Sequence, residues 1–135
     1  MADVIRSYRD LKVWQKSMDL VDACYDLSER FPKKEMFGLA SQIQRASVSV
    51  PANIAEGHGR EHLGDYIRHL SFAKGSLVEL ETLLIIAARR KYLPQSELGR
   101  LLGRTDEIGR ILTALKRSLK LKKTTSALEP DGSGT

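Results

Sequence analysis

Three histidines, His58, His62 and His69, stand close to Glu61 and Asp65 and form the only group in this 135-residue chain with metal-ligating chemistry. His58 and His62 have the i, i+4 spacing that sets two imidazoles on one helix face. Gly59 between them predicts a turn, which destroys that register; no Glu directly follows His58, and no distant Cys or His completes a set. The reading is therefore of turn histidines in solvent. The single Cys24 lies on an apolar stripe with no local cation to stabilise a thiolate. The serines around Val48 have no neighbouring His to act as base. Gly57 and Gly59 do not frame a phosphate loop, which needs a longer run ending in Lys and Ser or Thr. No Arg precedes a His by four to six residues, the pairing used by helical-bundle ribonucleases. The chain is expected to be non-enzymatic, with no catalytic residue, metal or cofactor.

The remaining chemistry is charge. The formal net charge is +5. Residues 1–93 hold 14 Lys and Arg against 12 Asp and Glu, residues 94–123 hold 8 against 3, and the tail from Thr124 holds none against 2. The excess thus sits on Arg100, Arg104, Arg110, Lys116, Arg117, Lys120, Lys122 and Lys123. Such a stripe attracts polyanions; it also suits a solvated helix face whose cations complement a C-terminal helix dipole.

Four helical segments are predicted to carry these residues, over about 10–31, 36–57, 63–92 and 95–122. The first begins near Ser7 or Asp10 as cap and ends before Pro32. It bears two stripes: Leu11, Trp14, Met18, Val21, Tyr25, and Val13, Leu20, Cys24, Leu27, Phe31. The second helix carries Met36, Ala40, Ile43, Ser47, Val50 and Ile54, followed by glycines that permit positive φ at the reversal. The third repeats Leu63, Tyr66, Leu70, Ala73, Leu77, Leu80, Leu84 and Ala87. Pro94 closes it and Ser96 is the expected cap of the fourth, whose seam is Leu98, Leu101, Thr105, Ile108, Leu112, Leu115 and Leu119. Long helices with short turns predict an all-α, antiparallel up-down four-helix bundle in one domain. Residues 124–135 are too polar to offset their ordering entropy and are expected to be disordered.

The run SVSVPANIAEGHGR, Ser47–Arg60, sets Pro51 inside a helical pattern, where it removes a backbone bond at a cost of roughly 3 kcal/mol. A kinked second helix is expected, with Ser47, Ser49, Asn53 and Glu56 meeting the loosened backbone groups. Gly57 and the other small residues of the run, with Gly75 and Ser76 opposite, are expected to allow close helix approach. Glu81, flanking the third seam, needs a cation, and Arg45 is the expected partner. Leu83, Ile85 and Ile86 and the second stripe of the first helix are apolar surface that one bundle leaves uncovered, so self-association is expected. The longest wholly apolar run, Leu83–Ala88, is far shorter than the ~20 residues of a membrane span. The N-terminus shows no signal region. With the lone cysteine, these features predict a soluble, cytoplasmic protein.

The Ser47–Arg60 run, the string YIRHLSFAKGSLVELETLLIIA from Tyr66 to Ala87, and DLKVWQKSMDLV from Asp10 to Val21 resemble the four-helix-bundle family encoded in 23S rRNA intervening sequences. The resemblance covers about Asp10 to Lys122. It implies an up-down bundle assembled as a ring, typically a pentamer, similar in fold to accessory proteins of diversity-generating retroelements that engage a reverse transcriptase and nucleic acid. That family has no agreed biochemical activity. Two functions are expected from these features together: an oligomeric nucleic-acid or ribonucleoprotein accessory module that binds RNA or DNA backbone, or an oligomeric protein-binding scaffold without nucleic acid. The last helix lacks aromatics to stack bases, which argues against base-specific single-strand reading.

Overall fold

The computed structural model describes residues 4–128 and is all-helical, with no strand among them. Four long helices carry the chain: α1 (Lys12–Ser28), α2 (Leu39–His58), α3 (Leu63–Arg89) and α4 (Gln95–Leu128). They form a four-helix bundle in which α2 packs most extensively on α3, α1 rests on α2, and α4 closes against α3 and α1.

Local chemistry sets the helix ends. Ser7 accepts from the Arg9 N–H while Asp10 accepts from the Ser7 N–H, a reciprocal box that caps a short 3-10 turn, Tyr8–Asp10, rather than α1 itself. α1 then starts behind Leu11, which lends no side-chain cap. It stops at Ser28, three residues before the expected end, because Pro32 cannot continue it. A second 3-10 turn, Lys33–Glu35, leads to α2, and the Glu35 carboxylate accepts from the Leu39 N–H at 3.3 Å and from the Tyr92 hydroxyl at 2.7 Å. α3 ends through Lys91, whose φ of 68° makes it a lysine in the left-handed region usually given to glycine. The Pro94 carbonyl accepts from the Glu97 and Leu98 N–H groups, both at 3.1 Å, so Pro94 is the cap and Ser96 lies inside the helix, contrary to the sequence expectation. α4 also runs past Lys123 to Leu128, where disorder was expected, and the Thr124 hydroxyl donates to the Lys120 carbonyl at 3.0 Å. Extending an existing helix is far easier than nucleating one. The remainder of the expected tail, 129–135, lies outside the described residues.

The seams read from the sequence form the core: Leu20, Cys24 and Leu27; Ile43, Val50 and Ile54; Leu70, Leu77, Leu80 and Leu84; Leu101, Ile108 and Leu112 are all buried. The stripe Val13, Leu20, Cys24, Leu27, Phe31 is covered within one chain, and so is Leu83. Neither needs a second copy for cover, which corrects the expectation. Ile85 and Ile86 do remain 41% exposed, and Phe72 51%.

The α2–α3 seam is the tightest. A Cβ built on Gly57 would stand 2.8 Å from the His69 Cβ and 3.0 Å from Tyr66 Cδ1. Gly57 therefore lies in α2 as a close-packing residue, not as a turn glycine, and Gly59 reverses the chain with φ −80° rather than a positive value. Beyond it the Ser76 hydroxyl donates to Ser49 Oγ at 2.8 Å, and Asn53 joins the two helices through His69 Nδ1 at 3.1 Å. Gly75 is the opposite case: it is exposed, with open space around a would-be Cβ, so it does not serve the helix approach expected of it. Its neighbour Ser76 does.

Gly57→Ala is expected to destabilise by about 1–3 kcal/mol through overpacking, whereas Gly75→Ala stabilises by up to about 1 kcal/mol through helix propensity; chemical denaturation of the two variants shows shifts of opposite sign. Acid acts on the Glu35 bonds. The Tyr92 hydroxyl and then the Leu39 N–H hold the Glu35 carboxyl below the ordinary carboxylate range. That contribution is present above the unfolded-state pKa and disappears as pH falls through the lower folded-state value. Tyr92→Phe therefore lowers the melting temperature at neutral pH, and its deficit narrows towards roughly pH 3; a deficit constant across that range contradicts the linkage.

Candidate nucleic-acid interface

The basic helix α4 turns its leucine seam inward and its cations outward, as a three-four apolar repeat dictates. Arg100, Arg104, Arg110, Arg117, Lys120, Lys122 and Lys123 are exposed and Lys116 is half-buried. The structure divides this stripe. Arg100 and Arg104 line the groove towards α1, together with Asp26, Arg30 and Glu97. This side is charge-balanced: Arg30 pairs with Glu97 and Lys16 with Glu107 at 2.9 Å, and Asp19 and Asp26 offset Arg100 and Arg104. Arg110, Lys116, Arg117 and Lys120 lie on the α3 side. Lys123 reaches the start of α3, where its Nζ stands 3.1 Å from a Cβ built on Gly64 and near Glu61 and Asp65.

On the α3 side, α3 contributes a residue that the sequence reading passed over. Lys74 Nζ donates to Thr113 Oγ1 at 2.7 Å, which fixes its ammonium between the two helices. Burial, with Lys120 and Lys74 nearby, holds the Lys116 ammonium below the ordinary lysine range. The sequence signal was available: Lys74 and Glu81 are seven residues apart and share the edge of the α3 seam that faces α4.

Glu81 occupies the other end of the same groove. Its Oε2 accepts from the buried Thr105 hydroxyl at 2.9 Å, not from Arg45, which is exposed on α2. The expected ion pair fails because α3 turns Glu81 towards α4 while Arg45 rides on α2, so a neutral hydroxyl supplies the donor. Asn53 Nδ2 donates to the Ser49 carbonyl at 2.9 Å and to Ser49 Oγ at 3.1 Å. That carbonyl is not the one Pro51 leaves without its usual helical donor, which belongs to Ser47 four residues back. Glu56 does not join Asn53; it pairs with Arg60 at 2.6 Å on the surface. Pro51 itself is buried within α2.

The histidines do not converge. His58 stands edge-on to Tyr66, His69 bonds Asn53, and His62 precedes α3 with only its backbone carbonyl, not its imidazole, bonded to the helix. Among the described residues no group of three His, Cys, Asp or Glu is placed to hold a metal ion. No helix there is long and apolar enough to cross a membrane.

The sequence profile described as 23S rRNA-intervening sequence protein matches residues 9–114. The chain belongs to that family. No functionally curated protein matches it. Its fold is similar to the crystal structure of a protein of unknown function from the S23 ribosomal protein family of Bacteroides thetaiotaomicron, with a TM-score of 0.72 at 24% identity over 77% of this chain and 97% of that one. The family match takes in the PANIAEG run and Lys74 but stops before Lys116, Arg117, Lys120, Lys122 and Lys123. In this 23S rRNA-intervening sequence protein the most cationic part of α4 thus lies beyond the matched region.

Cys24 completes the inventory of reactive groups. It is fully buried, and burial pushes its thiol up to about 12 against a weak opposing effect of Arg104. Iodoacetamide is expected to leave the native protein unmodified near neutral pH and to alkylate it once guanidinium unfolds it; rapid native labelling, read by mass spectrometry, contradicts this burial.

Proposed function

We propose that this 23S rRNA-intervening sequence protein is a non-enzymatic, oligomeric accessory module that binds the phosphate backbone of RNA through α4. The observation that carries the reading is the state of the eight α4 cations: all reach solvent, and among the described residues none is within ion-pair distance of a carboxylate. Free cations on a rigid helix release the counterions of a polyanion without first breaking internal pairs. The family's association with 23S rRNA intervening sequences makes RNA the natural partner.

The scaffold in this reading is an antiparallel up-down bundle with α2 bent at Pro51. Its direction is supported by the cross-helix registers: Asn53 with His69 and Ser49 with Ser76, then Lys74 with Thr113 and Glu81 with Thr105. Assembly of several copies, a pentameric ring in the fullest form of the proposal, draws on apolar surface left at Phe72, Ile85, Ile86 and the 93% exposed Phe37. Assembly multiplies weak phosphate contacts through avidity. A cytoplasmic location fits an RNA partner. The alternative, a scaffold that docks another protein such as a reverse transcriptase, draws on the same apolar surface and leaves the cations to solubility.

Fluorescence anisotropy with labelled oligouridine tests the choice. Binding at low salt should weaken steeply and log-linearly as salt rises. Binding unchanged by salt overturns backbone recognition, and absence of binding at low salt selects the protein scaffold. Sedimentation of the same samples should show particles several times the 15.1 kDa chain mass; monomers alone overturn the assembly.

A further inference from the structure

The groove between α3 and α4 differs from the rest of the basic surface. It has a volume of ≈ 400 Å³ and is lined by Leu77, Val78 and Ala114 together with Arg110 and Arg117 of α4 and Lys74 of α3. It continues through Thr113 to Lys116 and Lys120. We propose that this groove, and not the α4 stripe as a whole, is the seat of one RNA strand, clamped through its phosphates by Lys74 from one wall and by Arg110, Lys116, Arg117 and Lys120 from the other. The proposal rests on the RNA-binding reading above and narrows it to five residues, one of which lies off α4.

Three observations carry it. First, the five cations outnumber the two carboxylates of the groove, Glu81 and Asp106, and none forms an ion pair among the described residues; the Lys74 ammonium is held by a neutral hydroxyl, Thr113 Oγ1, at 2.7 Å. Crowded like charges at a half-buried position favour an added anion; burial first, and then Lys120 and Lys74 beside it, lower the proton affinity of Lys116. Second, the ladder from Arg110 to Lys120 spans about 15 Å at the helical rise of 1.5 Å per residue. That length suits a linear polyanion with successive phosphates and exceeds what a single phosphate group occupies. Third, the α1 side of α4 is unsuited to the same ligand, because there Lys16, Arg30, Arg100 and Arg104 meet as many carboxylates, Asp19, Asp26, Glu97 and Glu107. The carboxylates of Glu81 and Asp106 stand at one end of the α3–α4 groove and repel phosphate there. They set a limit to the strand, which occupies the half from Arg110 to Lys120. The lining has no aromatic side chain, so bases are not stacked and the clamp is indifferent to sequence.

The test compares double variants of equal charge loss, each binding labelled oligouridine across a salt series. Lys74→Gln with Lys116→Gln should weaken binding at low salt by about tenfold or more and reduce the log–log salt slope by about 1.4 for two lost single-strand contacts. Arg110→Gln with Lys120→Gln removes exposed cations without touching the Lys74–Thr113 bond, and should do the same in a fully folded protein. Arg100→Gln with Arg104→Gln should stay within about twofold of the parent. Equal losses in all three variants overturn the clamp while leaving general RNA binding in place. Failure of the parent to bind oligouridine overturns both readings, and tighter retention of the parent on phosphatidylserine vesicles than on oligouridine assigns the groove to membranes and overturns the clamp.

Discussion

Close backbone approach of α2 and α3 is the constraint on which the remainder of this fold rests. Only a hydrogen at Gly57 fits above the His69 and Tyr66 side chains. With the helices drawn together there, Asn53 can reach His69 and Ser49 can reach Ser76. These polar bridges run beside a leucine seam and fix its rotation, since each has only one register in which donor meets acceptor. That rotation turns Leu77, Leu80 and Leu84 inward. It also places Glu81 and Lys74 on the edge where α4 lies, so the groove proposed as the RNA seat is a downstream result of packing on the other side of α3.

Much of this was legible in the sequence because three-four apolar repeats have only one way to be buried. The inward seams of the four helices were readable as local patterns, although Met18 and Tyr25 of the other expected α1 stripe and Met36 before α2 stand exposed. Ser7 and Asp10 were readable as capping residues but close a 3-10 turn ahead of α1, and Pro94 begins α4 rather than ending α3. Features that depend on a partner helix were not readable. Arg45 and Glu81 carry opposite charges and suitable lengths, yet helix rotation, which one-dimensional spacing does not encode, sends them to different faces. Gly57 and Gly75 are the same residue in similar strings, but one meets a neighbouring Cβ and the other meets solvent. The end of α4 was misjudged for a different reason: composition describes whether a segment nucleates structure, whereas residues 124–128 only extend a helix already anchored by Leu112 and Leu119.

The candidate site was half legible. Its charge was visible as a skewed distribution along the chain, and of the eight α4 cations seven stand exposed and Lys116 half-buried. Their division into a balanced side and an unbalanced side was not visible, because balance depends on Lys16, Arg30, Glu97 and Glu107 meeting across α1 and α4. Lys74 was hidden by its surroundings, being one of three Lys or Arg on a helix otherwise read for its leucines.

Among the described residues the polar side chains enclosed by the bundle are Ser17, Ser28, Ser47 and Thr105, and Cys24 keeps its proton far above neutral pH. No buried side-chain nitrogen or oxygen among the described residues lacks a bonding partner. The interior is thus an electrical insulator wrapped in an ionic skin. Loading or stripping a polyanion from that skin changes the surface potential by many charges, yet finds nothing inside that must gain or lose a proton in response.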